Sequence, residues 1–205
     1  MSRRERVVGI LAYGSLGEDP GAEIGPLIAE RIEGVKTPFR VEFARQSRTR
    51  DGAPTLVPVS EGGASVQAKI LVLEDVSEAE ATDMLWRRET RKEGDGKRYD
   101  PPTELDADTV LVERLEGFGG VDVVLYARIG ANIPDPNPLK LAELAIRSAE
   151  SGAGRKGKDG ISYLIWVKNN GVETPLMPEY EREILRLTGT ETLERAWTKI
   201  TGRRL

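Results

Sequence analysis

Two residue types are missing from the 205-residue chain altogether: it contains no cysteine and no histidine. Without cysteine there is no disulfide framework, no thiolate nucleophile and no Cys-ligated zinc or iron–sulfur site. Without histidine there is no Ser-His or Cys-His dyad, no imidazole metal ligand and no side chain that titrates near neutrality by default. Acid/base chemistry is therefore left to Asp, Glu, Tyr or Lys. Aromatic residues are sparse, at 5%. Long apolar runs are absent too: nothing approaches the roughly 18 residues needed to span a bilayer. The apolar run at residues 7–13 is too short for a secretory leader and lacks a small-residue cleavage site, so it reads as a first strand. A cytoplasmic protein is the expectation.

What the chain does have is charge. Thirty Lys and Arg stand against 34 Asp and Glu, a net of −4, and 39% of the residues are hydrophobic. Mild acidity without a long basic block gives no electrostatic footprint for a nucleic acid or an anionic membrane. The length and balance predict one soluble domain spanning residues 1–205.

Glycine and proline fall in clusters between patterned segments. Up to about Gly130 the composition favours strands, at residues 7–13, 35–44, 55–59, 65–74, 109–115 and 121–129. One helix is predicted over 23–33, where Ile24, Leu27, Ile28 and Ile32 recur at helical spacing. A second is predicted over 78–89, opened by the Ser77–Glu80 capping box. The polar stretch 91–102 (RKEGDGKRYDPP) predicts an exposed, mobile loop. From 131 onward the pattern is helical. Asn137 caps a helix that starts at Pro138, and two more helices follow near 178–188 and 191–201. Residues 160–167 have strand propensity, but an Asp159 cap and the Lys168-Asn169-Asn170-Gly171 ending favour a helix.

Two segments carry candidate chemistry. Tyr13-Gly14-Ser15-Leu16 leaves the first strand through a glycine, a geometry that turns backbone N–H groups toward a carboxylate; an ordinary strand-to-helix turn has the same signature. Glu89 ends the capped helix. There the helix dipole raises a carboxylate's proton affinity, whereas pairing with Arg87, Arg88, Arg91 or Lys92 lowers it, and the sequence leaves both open. Arg155-Lys156-Gly157-Lys158 lacks the spacing of a phosphate-binding loop. Trp86, Trp166 and Trp197 read as packing residues.

Taken in order, these pieces resemble the gamma-glutamylcyclotransferase superfamily, most closely its glutathione-acting, ChaC-type branch. In that family a Y-G-S loop after the first strand holds the gamma-glutamyl group, and a Glu late in a later helix, often written R-E, is the acid/base; Tyr13-Gly14-Ser15-Leu16 and Arg88-Glu89 match these. Phe43 with Ser47, then Arg50, Gly52 and Pro54, is similar to the branch's F-x-x-x-S and R-G-x-P segment. Asn137-Pro138, Leu141-Ala142, Ile146, Ala149, Ser151-Gly152 and Tyr163-Leu164 are similar to its C-terminal pattern. The likeness covers about three quarters of the chain. Three departures stand out. Asp51 is inserted between Arg50 and Gly52, Gly17-Glu18-Asp19 replaces an aromatic residue soon after the loop, and the Tyr that follows the family's Glu has its nearest counterpart in Tyr99, ten positions on.

The resemblance implies an α+β fold in which residues 1–130 form a small, mostly antiparallel β-barrel with two helices, while 131–205 supply C-terminal helices along one side. It implies cyclisation of a gamma-glutamyl amide to 5-oxoproline, with Glu89 as acid/base and Tyr13, Gly14, Ser15, Leu16, Ser47, Arg50 and Tyr99 as binding residues. No metal or organic cofactor is implied, and the partner is a small gamma-glutamyl compound met by a monomer or homodimer. Two other readings share the fold: a non-catalytic ligand- or partner-binding module, and a relative of allophanate hydrolase acting on another small amide.

Overall fold

The computed structural model describes residues 6–203. Its contacts divide the chain into two compact units. One takes the chain up to Thr37 together with Gln67–Gly130, and the other takes Pro38–Val66 together with the chain from Ala131 onward. The hairpin segment 38–66 thus groups with the C-terminal helices and not with the remaining strands.

The first unit is a five-stranded mixed sheet with one long helix. Strands β1 (Val8–Ala12), β2 (Ile28–Lys36), β5 (Gln67–Leu73), β6 (Leu111–Glu116) and β7 (Val123–Arg128) lie in the order β2-β5-β1-β7-β6. Three neighbouring pairs are antiparallel, and β1 runs parallel to β7, with Val8, Gly9 and Ile10 opposite Val123, Val124 and Leu125. Strand alternation sends Val8, Ile10, Ala12, Leu71, Leu73, Val123 and Leu125 to one face. There they join Ala81, Met84 and Leu85 of helix α2 (Glu78–Thr90) in one apolar cluster. The Ser77 side chain accepts from Glu80 N, and the Glu80 side chain accepts from Ser77 N, so the expected capping box forms.

The expected barrel does not close: β2 and β6 are the two edges of the sheet, and no closed barrel forms among the described residues. Along β2 the exposed Ala29, Glu30, Arg31 and Glu33 and two register shifts blunt the edge that closure would have to join. The same shifts explain the helix predicted over 23–33, which is a strand from Ile28 onward after a short 3₁₀ turn at Gly25–Leu27. Each shift inserts one residue, so Ile28, Ile32 and Val35, opposite Leu73, Ile70 and Ala68, recur at spacings of four and three and imitate a helix. The strand expected over 35–44 is interrupted at 37–39.

The second unit pairs the hairpin β3 (Arg40–Ser47) and β4 (Ala53–Val59) with five helices among its described residues: α3 (Pro138–Glu150), α4 (Gly152–Arg155), α5 (Gly160–Asn169), α6 (Met177–Thr188) and α7 (Leu193–Thr201). The caps read from the sequence at Asn137 and Asp159 both accept backbone N–H groups, and 160–167 is helical. Phe43 of β3 meets Tyr180 edge-on at a centroid distance of 5.2 Å and Tyr163 at 6.2 Å. Two carboxylates lie inside this unit. Glu42 accepts from Thr174 Oγ1 (2.5 Å), Leu176 N (3.1 Å) and Phe43 N (2.9 Å). Fully buried Asp159 accepts from Ile161 N (2.8 Å), Ser162 N (3.0 Å) and Trp197 Nε1 (2.7 Å). Each of these buried carboxylates is therefore matched by donors, as the low-dielectric interior demands.

No helix among the described residues is long and apolar enough to cross a membrane.

Candidate functional site

β1 ends at Ala12, and Tyr13 is half-buried with its hydroxyl donating to the Ala127 carbonyl of β7 at 3.3 Å. Gly14 follows at φ 63° and ψ −144°, a conformation that side-chain-bearing residues rarely adopt, and the chain turns there into the four-residue helix α1 (Ser15–Glu18). Gly17 N donates to Gly14 O, and Asp19 N to Ser15 O. Leu16 is buried in the same apolar cluster as Ala81, Met84 and Leu85, so the turn is anchored to α2 by burial. The tetrapeptide read from the sequence is thus a strand-to-helix turn that shares an apolar cluster with the helix that carries Glu89.

Glu89 lies in the last turn of α2. Its Oε1 accepts from Arg88 Nη1 at 2.5 Å, and Arg88 Nη2 donates to the Asp19 carbonyl at 2.6 Å. Of the two influences left open by the sequence, the structure pairs Glu89 with its arginine neighbour. Both side chains keep a minor exposed fraction, 12% for Arg88 and 25% for Glu89.

A second clasp lies beside the first. Arg87 grips Glu23 through Nε (2.8 and 3.1 Å) and Nη2 (2.7 Å), and its Nη1 donates to the Lys97 carbonyl at 2.6 Å. Glu23 also accepts from Gly94 N at 2.6 Å, while Glu23 N donates to Glu93 Oε1 at 3.3 Å. The Arg87 bond holds the Glu23 carboxyl below its ordinary range and in turn raises Arg87. The 91–102 loop, exposed as expected, is therefore tied down at Gly94 and Lys97.

Tyr99 sits at the end of that loop. Its ring is 6.3 Å from that of Trp86, its N donates to Asp83 Oδ1 at 2.7 Å, and its hydroxyl accepts from Val112 N at 3.3 Å. Trp86 carries the Lys92 ammonium 4.4 Å from its centroid. Tyr99 thus joins Trp86, one helical turn before Glu89, and among the described residues no hydrogen bond joins it to Glu89 itself.

Ser47 and Arg50 belong to the second unit, at the turn between β3 and β4. Ser47 Oγ is 3.0 Å from Thr49 Oγ1, and the Arg50 guanidinium lies 4.6 Å over the Tyr163 ring. The inserted Asp51 has a local reason to be there. It takes the left-handed conformation at φ 48°, and its carboxylate accepts from Ser151 Oγ (2.7 Å) and Ala153 N (2.9 Å), which hold it below the ordinary carboxylate range.

Sequence reasoning missed three participants in the first unit: the Asp19 carbonyl, Glu23 as partner of Arg87, and Asp83 as the acceptor that places Tyr99. The only available signal was charge complementarity between the acidic stretch 18–23 and the basic stretch 87–98. No spacing rule links segments some 65 to 70 residues apart. Among the described residues, no group of three or more acidic side chains could hold a metal ion. Compared with known proteins, the chain matches no family model and no curated protein.

Proposed function

We propose that the chain is a gamma-glutamylcyclotransferase-type enzyme that converts a gamma-glutamyl peptide or amine, with glutathione among the candidates, to 5-oxoproline. The observation that carries the reading is the assembly of its two key motif segments in one unit. The glycine turn after β1 shares an apolar cluster with α2, and Arg88 links Glu89 to the carbonyl of Asp19, the residue whose N–H closes the helix following that turn.

The reaction is an intramolecular acyl transfer. The substrate's α-amino nitrogen attacks its own γ-carbonyl carbon, a new C–N bond closes the five-membered ring, and the original amide C–N bond breaks. Glu89 takes a proton from the attacking nitrogen and passes it to the departing one, so one carboxylate serves first as base and then as acid. Backbone N–H groups at Gly14, Ser15 and Leu16 receive the glutamyl carboxylate or the developing oxyanion. Nucleophile and electrophile share one molecule, so holding the substrate folded contributes much of the acceleration. Written this way, the step needs no metal or organic cofactor. The setting that goes with such a substrate is cytoplasmic, and the enzyme works as a monomer or homodimer.

The test is to incubate the purified protein with glutathione and a panel of gamma-glutamyl dipeptides and amines, detecting 5-oxoproline by mass spectrometry. Wild type forms it, and Glu89→Gln lowers the rate by about 10³-fold, within the range of a lost acid/base group. A folded wild-type protein that turns over no member of the panel overturns the proposal.

A further inference from the structure

We infer that Arg88 is a positioning residue, one that fixes the distance between the Glu89 carboxylate and the glycine turn after β1; the inference rests on the role proposed above for Glu89. A guanidinium is planar and presents its donors in a rigid fork. When two of its nitrogens bind two different acceptors, the separation of those acceptors is set by the fork and not by flexible chain. Arg88 does this with Glu89 Oε1 at 2.5 Å and the Asp19 carbonyl at 2.6 Å. Asp19 N in turn donates to Ser15 O at 2.9 Å, so the acceptor carbonyl belongs to the residue that closes α1.

A second observation bears on the same point. The chain passes Arg88 closely at Gly21, which has φ 88°, and a Cβ built there would lie 3.0 Å from Arg88 Cγ and 2.4 Å from Glu93 Oε1. The segment after α1 thus runs against the stem of Arg88, and a side chain at Gly21 would be strained by its φ and would have to displace the Glu93 carboxylate. Arg88 itself is 12% exposed, so its fork is held by packing as well as by hydrogen bonds. A lysine cannot replace it, because a single ammonium has no fixed pair of donors to span both acceptors.

The experiment is steady-state kinetics of wild type, Arg88→Ala and Arg88→Lys on whichever gamma-glutamyl compound the wild type turns over, with and without added methylguanidinium. Misplacement by about an ångström lowers rates on the order of 100-fold. Arg88→Ala therefore loses about 100-fold in kcat with KM nearly unchanged, Arg88→Lys stays low, and methylguanidinium restores Arg88→Ala but not Glu89→Gln. An unchanged kcat, a loss confined to KM, or absence of rescue in a folded Arg88→Ala protein overturns the inference.

Where wild type turns over nothing, or Arg88→Ala does not fold, nitrogen-15 NMR of the wild-type arginine side chains decides. A slowly exchanging Arg88 guanidinium signal that disappears in Glu89→Gln supports the bridge, and a solvent-averaged signal overturns it. The first outcome leaves Arg88 as the clamp of a carboxylate whose substrate lies elsewhere, so failure of the substrate assignment is distinguishable from failure of the clamp.

Discussion

The two units treat their charged groups in opposite ways. In the second, Glu42 and Asp159 are inside, and the hydrogen bonds their carboxylates accept come from donors of the same unit. In the first, Glu23, Arg87, Arg88 and Glu89 stand at the end of a helix, partly exposed, and pair with one another and with loop carbonyls. The difference separates two uses of a carboxylate. A buried one that accepts three bonds from protein donors specifies packing and is shut away from solute. A rim carboxylate whose partner is a neighbouring arginine contributes little to stability.

Three substitutions sharpen or break that contrast. Asp159→Ala strands the Trp197 indole N–H and two backbone donors in the interior, and should lower the unfolding free energy by about 3 kcal/mol. Urea unfolding followed by tryptophan fluorescence measures it; a loss far below that figure would mean that the buried carboxylate is not the fastener of α5 to α7.

Tyr180→Phe should act in the other direction. The Tyr180 hydroxyl is fully buried and has no hydrogen-bond partner among the described residues, and burial pushes its ionisation far above the ordinary tyrosine range. Removing an unsatisfied hydroxyl from a packed site should raise stability by about 1 kcal/mol. A lower unfolding midpoint would reveal that the hydroxyl does find a partner in solution.

The smallest effect belongs to the rim. Glu23→Gln should cost less than about 1 kcal/mol at neutral pH, because the Arg87 pair is partly solvated. Its pH dependence is more telling than its size. Folding lowers the Glu23 carboxyl from its ordinary 4.5, so its contribution is present above that value and is lost as pH falls through the lowered one. The stability difference between wild type and Glu23→Gln should therefore shrink as pH is lowered below 4.5 in unfolding curves. A difference that does not change with pH means the clasp is not electrostatic.

Legibility in the sequence followed the range of the interactions. The caps at Ser77, Asn137 and Asp159 were readable because a cap is chemistry among residues three apart, and all three form as read. Four of the five strands of the sheet, β1, β5, β6 and β7, were readable from β-branched runs, with boundaries shifted by a few residues. The 23–33 segment was misread because bulges gave a strand the spacing of a helix, and bulges depend on the partner β5, which the segment itself does not encode. The same holds for the open sheet, since closure is decided at edges far apart in sequence. At the candidate site, Tyr13 to Leu16 and Glu89 could be picked out by type and by resemblance. The Asp19 carbonyl could not, because a backbone acceptor has no sequence signature and Arg88 reaches it across 69 positions.

The interleaving of the units sets a schedule for the growing chain. The hairpin β3–β4 is synthesised between β2 and β5, yet its own unit is completed only after Ala131. Phe43 therefore emerges well before Tyr163 and Tyr180, the rings that receive it. Meanwhile β1 waits for β7, its parallel neighbour more than a hundred residues downstream. Both closures carry the entropic cost of long loops, which slows folding and leaves apolar strands uncovered in the interval. Neither unit can be obtained by simply cutting the chain in two, because each is built from two segments separated by a segment of the other.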